Sequence, residues 1–187
     1  MNDAYKKVLR LPKKHAGVTS RSEPADGGQI VRQQSLRNAA FAGLIIVIVF
    51  SVLWAMASTL VDRIFPWMTV VLGVLVGLGI RRAGQGLDWR FPVLAAVIAG
   101  VGALVSNVVV AAAFTAAALE TSTLNVLRAV TSMTWPVFFD EAMSSADAVY
   151  ALFAAVIAAF YANRRLSRAE FHAVRIWQQE KVDAGQD

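Results

Sequence analysis

The run Ala39-Ala-Phe-Ala-Gly-Leu-Ile-Ile-Val-Ile-Val-Phe-Ser-Val-Leu-Trp-Ala-Met-Ala-Ser-Thr-Leu-Val61 contains no Asp, Glu, Lys, Arg or His. A helix rises about 1.5 Å per residue, so roughly 20 apolar residues cover the ~30 Å hydrocarbon layer of a bilayer. These residues are enough for one crossing. Three further charge-free blocks follow: residues 64–80, 91–119 and 148–163. The second is short and opens with Pro66 and Trp67, a first-turn proline and an interfacial indole. The third, with an early Pro92, is longer than the hydrocarbon is thick and must tilt, kink or project. The fourth reaches a full crossing when its flanking residues are added.

None of the blocks alternates polar and apolar residues, and open strands in lipid would leave backbone groups unpaired. The expected fold is therefore all-α: an integral membrane bundle of four transmembrane helices. Composition agrees. Of 187 residues, 57% are hydrophobic and 17% charged, against about 45–50% and about 25% in soluble domains. That balance excludes an ordinary soluble enzyme, a disordered tail and a secreted disulfide scaffold. With no cysteine, thiolate metal sites and cysteine nucleophiles are excluded as well. Ala55-Met56-Ala57 has the form of a signal-peptidase site. The polar region before this span is 38 residues long, far beyond a normal signal-peptide n-region, so it reads as an uncleaved anchor.

Orientation follows from Lys and Arg. Sixteen lie before the first span, between the second and third, or after the fourth; only Arg63 and Arg128 lie on the other side. Both termini and the middle loop are thus expected in the cytoplasm, with net charge +8 there and −3 outside. The overall charge of +5 is explained by this asymmetry and does not call for nucleic acid. Three regions result: a basic cytoplasmic arm and linker (1–28), a transmembrane domain (29–163) and a cytoplasmic helical tail (164–187). The arm interleaves basic and apolar residues from Tyr5 to Lys14, suited to anionic headgroups or simply to orienting the chain. No breaker follows Gln29, so the first helix is expected to start in the cytosol near residues 29–35.

The polar segments hold few candidates for chemistry. Arg81-Arg-Ala-Gly-Gln-Gly-Leu-Asp-Trp-Arg90 lacks the strand and the Lys-Ser/Thr spacing of a nucleotide loop. Gly84 and Gly86 suit a tight turn, while Arg81, Arg82 and Arg90, with Arg164 and Arg165, suit lipid phosphates. Between the third and fourth spans, Leu124, Leu127, Val130 or Thr131, and Met133 or Thr134 recur at helical spacing, which predicts an amphipathic outer helix. Trp135-Pro-Val-Phe-Phe139 is expected to break it. Leu124, Leu127, Trp135, Phe138 and Phe139 are the candidate partner-docking residues. The tail is expected to continue the fourth helix, with Leu166, Ala169, Ala173 and Ile176 or Trp177 on one face.

Inside the spans no ionisable residue occurs, so proton relays, histidine-ligated haem and intramembrane proteolysis lose their usual residues. Asn107, beside Ser106, and Ser51 and Ser58 are the polar interior candidates; interhelical hydrogen bonding is the ordinary role of such residues. No His or Lys is available to activate a serine, and Asp62, Glu120, Asp140, Glu141 and Asp147 match no metal-ligand spacing. No cofactor is expected. Packing signals are clearer: Gly73 and Gly77, Ala95, Ala99 and Ala103, and Ala151, Ala155 and Ala159 recur every four residues, which permits close helix approach. The last three spans are expected to form a tight bundle. The first, with Ile45, Ile46, Ile48, Phe50 and Leu53, is expected to face lipid or a partner.

Gly73-Val-Leu-Val-Gly77, Ile80-Arg81, Gly84-Gln-Gly86, Phe91 and Ala95-Ala96, together with Asp147-Ala-Val-Tyr-Ala-Leu-Phe-Ala-Ala155 and Ala158-Ala-Phe-Tyr161, resemble a pattern of uncharacterised bacterial four-helix inner-membrane proteins. The likeness covers about half the chain and implies the architecture and the bacterial inner membrane, without site residues. The functional expectation is a non-enzymatic accessory or scaffold subunit bound to other membrane proteins. The alternative is a small oligomeric transporter or channel, and a third reading is an enzyme acting on lipid through the cytoplasmic arginines. Because the chain lacks cysteine, orientation can be read by single-cysteine labelling in intact cells. A thiol at Leu124→Cys should react with an impermeant reagent, and one at Lys13→Cys only after permeabilisation; the reverse result would invert the topology.

Overall fold

The computed structural model describes residues 26–130 and 134–184; the basic arm up to Pro24 and Ala25, and Thr131–Met133, lie outside the described residues. Of the described residues 81% are helical, and none lies in a strand. Eight helices follow in order: α1 (Gly27–Arg32), α2 (Leu36–Val61), α3 (Met68–Gly84), α4 (Arg90–Ala118), α5 (Thr123–Ala129), α6 (Trp135–Ala142), α7 (Ser145–Ala162) and α8 (Arg168–Asp183). Three of them, α2, α4 and α7, are long and apolar enough to cross a membrane. The chain divides into two compact units, residues 31–165 and a second one containing residues 26–30 and 166–184.

In the larger unit, the register of contacts gives the helix directions. On α2 and α4, Gly43 lies against Ile98, Val47 against Gly102, and the Ser51 hydroxyl 2.7 Å from that of Ser106. The constant offset means the two helices run parallel. Gly73 against Ala154 and Gly77 against Ala158 make α3 and α7 a second parallel pair. α3 and α4 each touch the other three long helices, while α2 and α7 do not meet. The bundle is therefore a rhombus with α3–α4 as its short diagonal.

Small residues set its spacing. A Cβ added at Gly73 would sit 2.5 Å from the Ala154 carbonyl oxygen and 2.8 Å from its Cα; at Gly77 it would sit 2.7 Å from the Ala158 oxygen. Here backbone meets backbone. On α7, Ala151, Ala154, Ala158 and Ala162 are buried, with Ala155 and Ala159 half-buried beside them; on α4, Ala95, Ala99 and Ala103 are fully buried. The aliphatic core consists of Leu72, Val76, Ile80 and Val110, closed by Trp54 and Phe91.

Several expectations need correction. α2 contributes a full face to the core: Ala39, Gly43, Val47, Ser51, Trp54 and Ala55 are buried, and so is Phe50, only 8% exposed. Ile46 packs against Gly79. Ile45, Ile48 and Leu53 do face outward. A 100° step per residue carries bulky side chains to both faces of a uniformly apolar helix, so composition alone cannot choose between them. α2 also starts later than expected, at Leu36, because the Ser35 side chain accepts from the Asn38 amide and caps it. α3 starts at Met68 rather than Ile64: residues 63–67 form the turn, and Thr69 Oγ1 donates to the Pro66 carbonyl at 2.9 Å.

Two other breaks were hidden. The tail does not continue α7, which stops at Ala162; α8 begins anew behind Ser167, whose hydroxyl accepts from the Glu170 amide while the Glu170 carboxylate accepts from the Ser167 amide. This is a reciprocal capping box, legible as S-x-x-E. Trp135-Pro136 opens α6 rather than ending a helix, since a first-turn proline lacks only an N–H that has no intrahelical partner. Between α4 and α7 the described residues accordingly form two short helices, each touching α4.

In the smaller unit, Gly27 lies against the Ala173 carbonyl, and Gly28 beneath the Trp177 indole, where a Cβ would meet Nε1 at 2.9 Å. Val174 is the buried residue of α8, Ala173 and Trp177 are half-buried, and Ile176 is exposed.

Gly73 and Gly100 provide a paired test of the packing. Replacing a mid-helix glycine by alanine gains about 0.5–1 kcal/mol in helix formation, while overpacking costs about 1–3 kcal/mol. A Cβ at Gly100 would meet only the Ala155 methyl at 3.5 Å, an ordinary contact. Gly73→Ala should therefore lower the thermal unfolding midpoint in detergent, and Gly100→Ala should leave it unchanged or raise it.

Candidate functional site

The polar groups within the bundle were the sequence candidates for function, and α2 and α4 carry most of them. Ser51 and Ser106 pair at 2.7 Å, and each hydroxyl also lies 2.7 Å from its own helix's carbonyl one turn back, Val47 and Gly102. Two protons serve three contacts, so one serine donates across the interface and the other to its own helix. Both side chains are satisfied, as structural serines are.

Asn107 differs. It is 7% exposed, and its Nδ2 has no hydrogen-bond partner in the protein. Trp54 Nε1 and Ser58 Oγ are the other buried groups in that condition among the described residues. Asn107 lines a crevice of about 130 Å³, bounded by Ile64 and Pro66 from the α2–α3 turn, Val110 and Ala111 from α4, and Ser144 and Asp147 from α7. At roughly 30 Å³ per water, the crevice suits a few waters or a solute of a few heavy atoms.

The α7 side is held by local chemistry. Ser144 is the N-cap: its hydroxyl accepts from the Asp147 amide at 3.3 Å, and the Asp147 Oδ2 accepts from the Ser144 amide at 2.9 Å and from its hydroxyl at 2.7 Å. The box uses one carboxylate oxygen and neutralises the helix N-terminus. Asp147, expected just outside the span, is thus built into the first turn. Asn107 from α4 and Asp147 from α7 thus line one crevice, with the Asn107 Nδ2 itself closed off from solvent. No group of three His, Cys, Asp or Glu residues positioned for a metal occurs among the described residues.

At the opposite end of the bundle, the loop 84–91 proves more organised than the sequence suggested. The turn is made by Gln85, in the left-handed region at φ 48°, and not by Gly84 or Gly86. Those glycines make room for the Phe91 ring, 2% exposed, which lies against both. Gly84 O accepts from the Ser35 amide at 3.0 Å, Gly86 O from the Arg164 amide at 3.1 Å, and Gln34 Oε1 from the Leu87 amide at 3.3 Å. Arg164 also donates to Gln85 Oε1 at 3.1 Å. Ends of α2, α3 and α7 are therefore tied to one loop. Gln34, Gln85 and Gly86 carry those ties, and nothing in their local pattern marked them.

Of the arginines expected at headgroups, Arg82, Arg90 and Arg165 are exposed and Arg81 and Arg164 half-buried. Of the docking candidates, Leu124, Trp135 and Phe139 are exposed and Leu127 and Phe138 half-buried. Trp135 and Phe139 stack at 5.5 Å between ring centroids.

No family model, curated protein or solved structure matches the chain. Its role must therefore be argued from its own residues.

Asn107→Leu tests the crevice directly. A buried donor without a partner costs about 1–3 kcal/mol, and a leucine of similar volume removes it. The unfolding midpoint of the purified chain should rise. A fall would show that the amide is engaged in the folded protein.

Proposed function

We propose that the chain is a four-span protein of a bacterial inner membrane, with both termini cytoplasmic, serving as a non-enzymatic accessory or scaffold subunit of a larger membrane assembly. Three helices have the length and apolarity of membrane spans. The fourth, α3, has 17 residues, about 25 Å at 1.5 Å per residue. Ile64, Phe65, Pro66 and Trp67 precede it, and it runs in register with α7. If α7 crosses a bilayer, α3 crosses with it. The Lys and Arg asymmetry supports the orientation.

The observation that carries the subunit reading is the placement of large side chains. Glycine and alanine occupy the seams between α3, α4 and α7, while α2, beside its buried Val47, Phe50 and Trp54, turns Leu44, Ile48 and Val52 outward, and α7 turns Leu152, Phe153, Val156 and Phe160 outward. On the outer segment, α6 adds exposed Trp135, Val137 and Phe139. Exposed aromatic pairs of this kind are typical anchors for a protein partner. The side chains able to make contacts thus point outward on two faces and at one end.

A second reading has its own observation in favour: Asn107, a polar residue that lines a crevice at one end of the bundle and whose buried Nδ2 has no partner, suits a binding residue of a small oligomeric transporter. The two readings separate experimentally. Extraction in mild detergent through a C-terminal tag should yield a stoichiometric foreign membrane protein, and Trp135→Ser with Phe139→Ser should reduce its recovery at least tenfold without loss of helicity. A homo-oligomer alone would overturn the subunit reading. Loss of solute flux on Asn107→Leu in reconstituted vesicles would then establish the second.

A further inference from the structure

The α2–α3 seam opens outward into a groove of about 410 Å³. Ile45, Val49 and Leu53 line it from α2 and Leu75 and Leu78 from α3, with Phe50 and Ile46 between them, the Ile46 side chain lying over Gly79. One charged residue lines it, Arg82, at the end of α3. Arg82 is exposed and makes no hydrogen bond or ion pair among the described residues.

Dimensions and charge together select an occupant. From Ile45 to Leu53 the groove runs about 12 Å along α2, most of the ~15 Å depth of one leaflet. Spread over that length, its volume gives a cross-section of about 34 Å², a narrow trough that takes a hydrocarbon chain along its length. At one end stands a guanidinium, which pairs with a phosphate through two parallel hydrogen bonds. By the distribution of basic residues, this is also the end facing the side with net charge +8, where anionic headgroups are favoured.

We propose that the α2–α3 groove is a binding site for an anionic phospholipid of the cytoplasmic leaflet, with one acyl chain along Ile45, Val49, Leu53, Leu75 and Leu78 and the phosphate on Arg82. The inference rests on the membrane reading above and adds a specific ligand to it. The groove holds the chain whatever the headgroup, and Arg82 supplies the preference for a net negative one.

The test uses the full chain, delipidated in detergent and titrated with dioleoylphosphatidylglycerol or dioleoylphosphatidylcholine under native mass spectrometry. The wild-type chain should retain the anionic lipid at least tenfold better. Arg82→Gln should reduce that preference at least fivefold, whereas Arg128→Gln, on α5 beyond the far end of α4, should leave it intact. Val49 is 52% exposed, so Val49→Trp should fill the groove, keep the fold and abolish retention of both lipids. Retained preference in Arg82→Gln, retained lipid in Val49→Trp, or loss of a co-purifying protein in place of lipid would each overturn the proposal. Flotation with vesicles distinguishes the failures: a chain that floats without headgroup preference defeats this site alone, and one that does not float defeats the membrane reading as well.

Discussion

The architecture depends on the approach of α3 to α7 at Gly73 and Gly77. There the missing side chains let one helix rest on the carbonyl and Cα atoms of Ala154 and Ala158. Such contact is a means of association that still operates in lipid, where burying apolar surface against another helix gains little over leaving it in hydrocarbon and dispersion between close backbones must suffice. It also fixes the register of the parallel pair, and hence the depth of every residue on both helices. With α7 so placed, Ala155 turns toward α4 and comes to 3.5 Å from the position of a Gly100 Cβ. α2 then completes the bundle on the far side, where Val47 fills the gap at Gly102.

The two ends of the bundle are finished differently. Loop 84–91 is a hub of backbone hydrogen bonds that holds ends of α2, α3 and α7 together around Phe91. Of these, the bond from the Ser35 amide satisfies Gly84 O, a carbonyl that the end of α3 leaves open. The other end is built from separate short pieces, with α2 and α4 stopped by left-handed Asp62 and Glu120. Asp62 passes the next amide, that of Arg63, back to Ser58 O, and Glu120 likewise passes that of Thr121 to Ala116 O. That end holds the Asn107 crevice. A closed base and a looser mouth set the places where a small ligand, a lipid chain and a protein partner would each meet the molecule.

Much of the helical content was legible in the residues. The third block, 91–119, became α4 at 90–118, and the fourth gained only the turn supplied by the Ser144–Asp147 box. Errors occurred where one side chain stops or restarts a helix. Ser35 and Ser167 interrupt stretches with no proline or glycine to announce it, and in each case the hydroxyl satisfies an amide that continuing the helix would otherwise have bonded. The S-x-x-E of the tail was readable as a start signal, and Pro136 equally so, since a proline is compatible with a first turn. For the candidate site, Asn107 stood out as a rare polar residue in an apolar block. Its neighbours in the crevice could not be read, because they come from a turn and a helix separated from it by tens of residues.

The sequence by itself determined that the chain is helical and where the positive charge lies, because these follow from apolar run length and composition. Tertiary structure alone decided which face of α2 turns inward. Every face of that helix is apolar, and only the shape of its neighbours, with Ile46 set against Gly79 and Val47 against Gly102, distinguishes them. It likewise decided that loop 84–91 binds three helix ends and that Arg82 stands at the end of an apolar groove. Hydrogen bonds and grooves between distant segments depend on distance and direction in space, and no local pattern of residues encodes either.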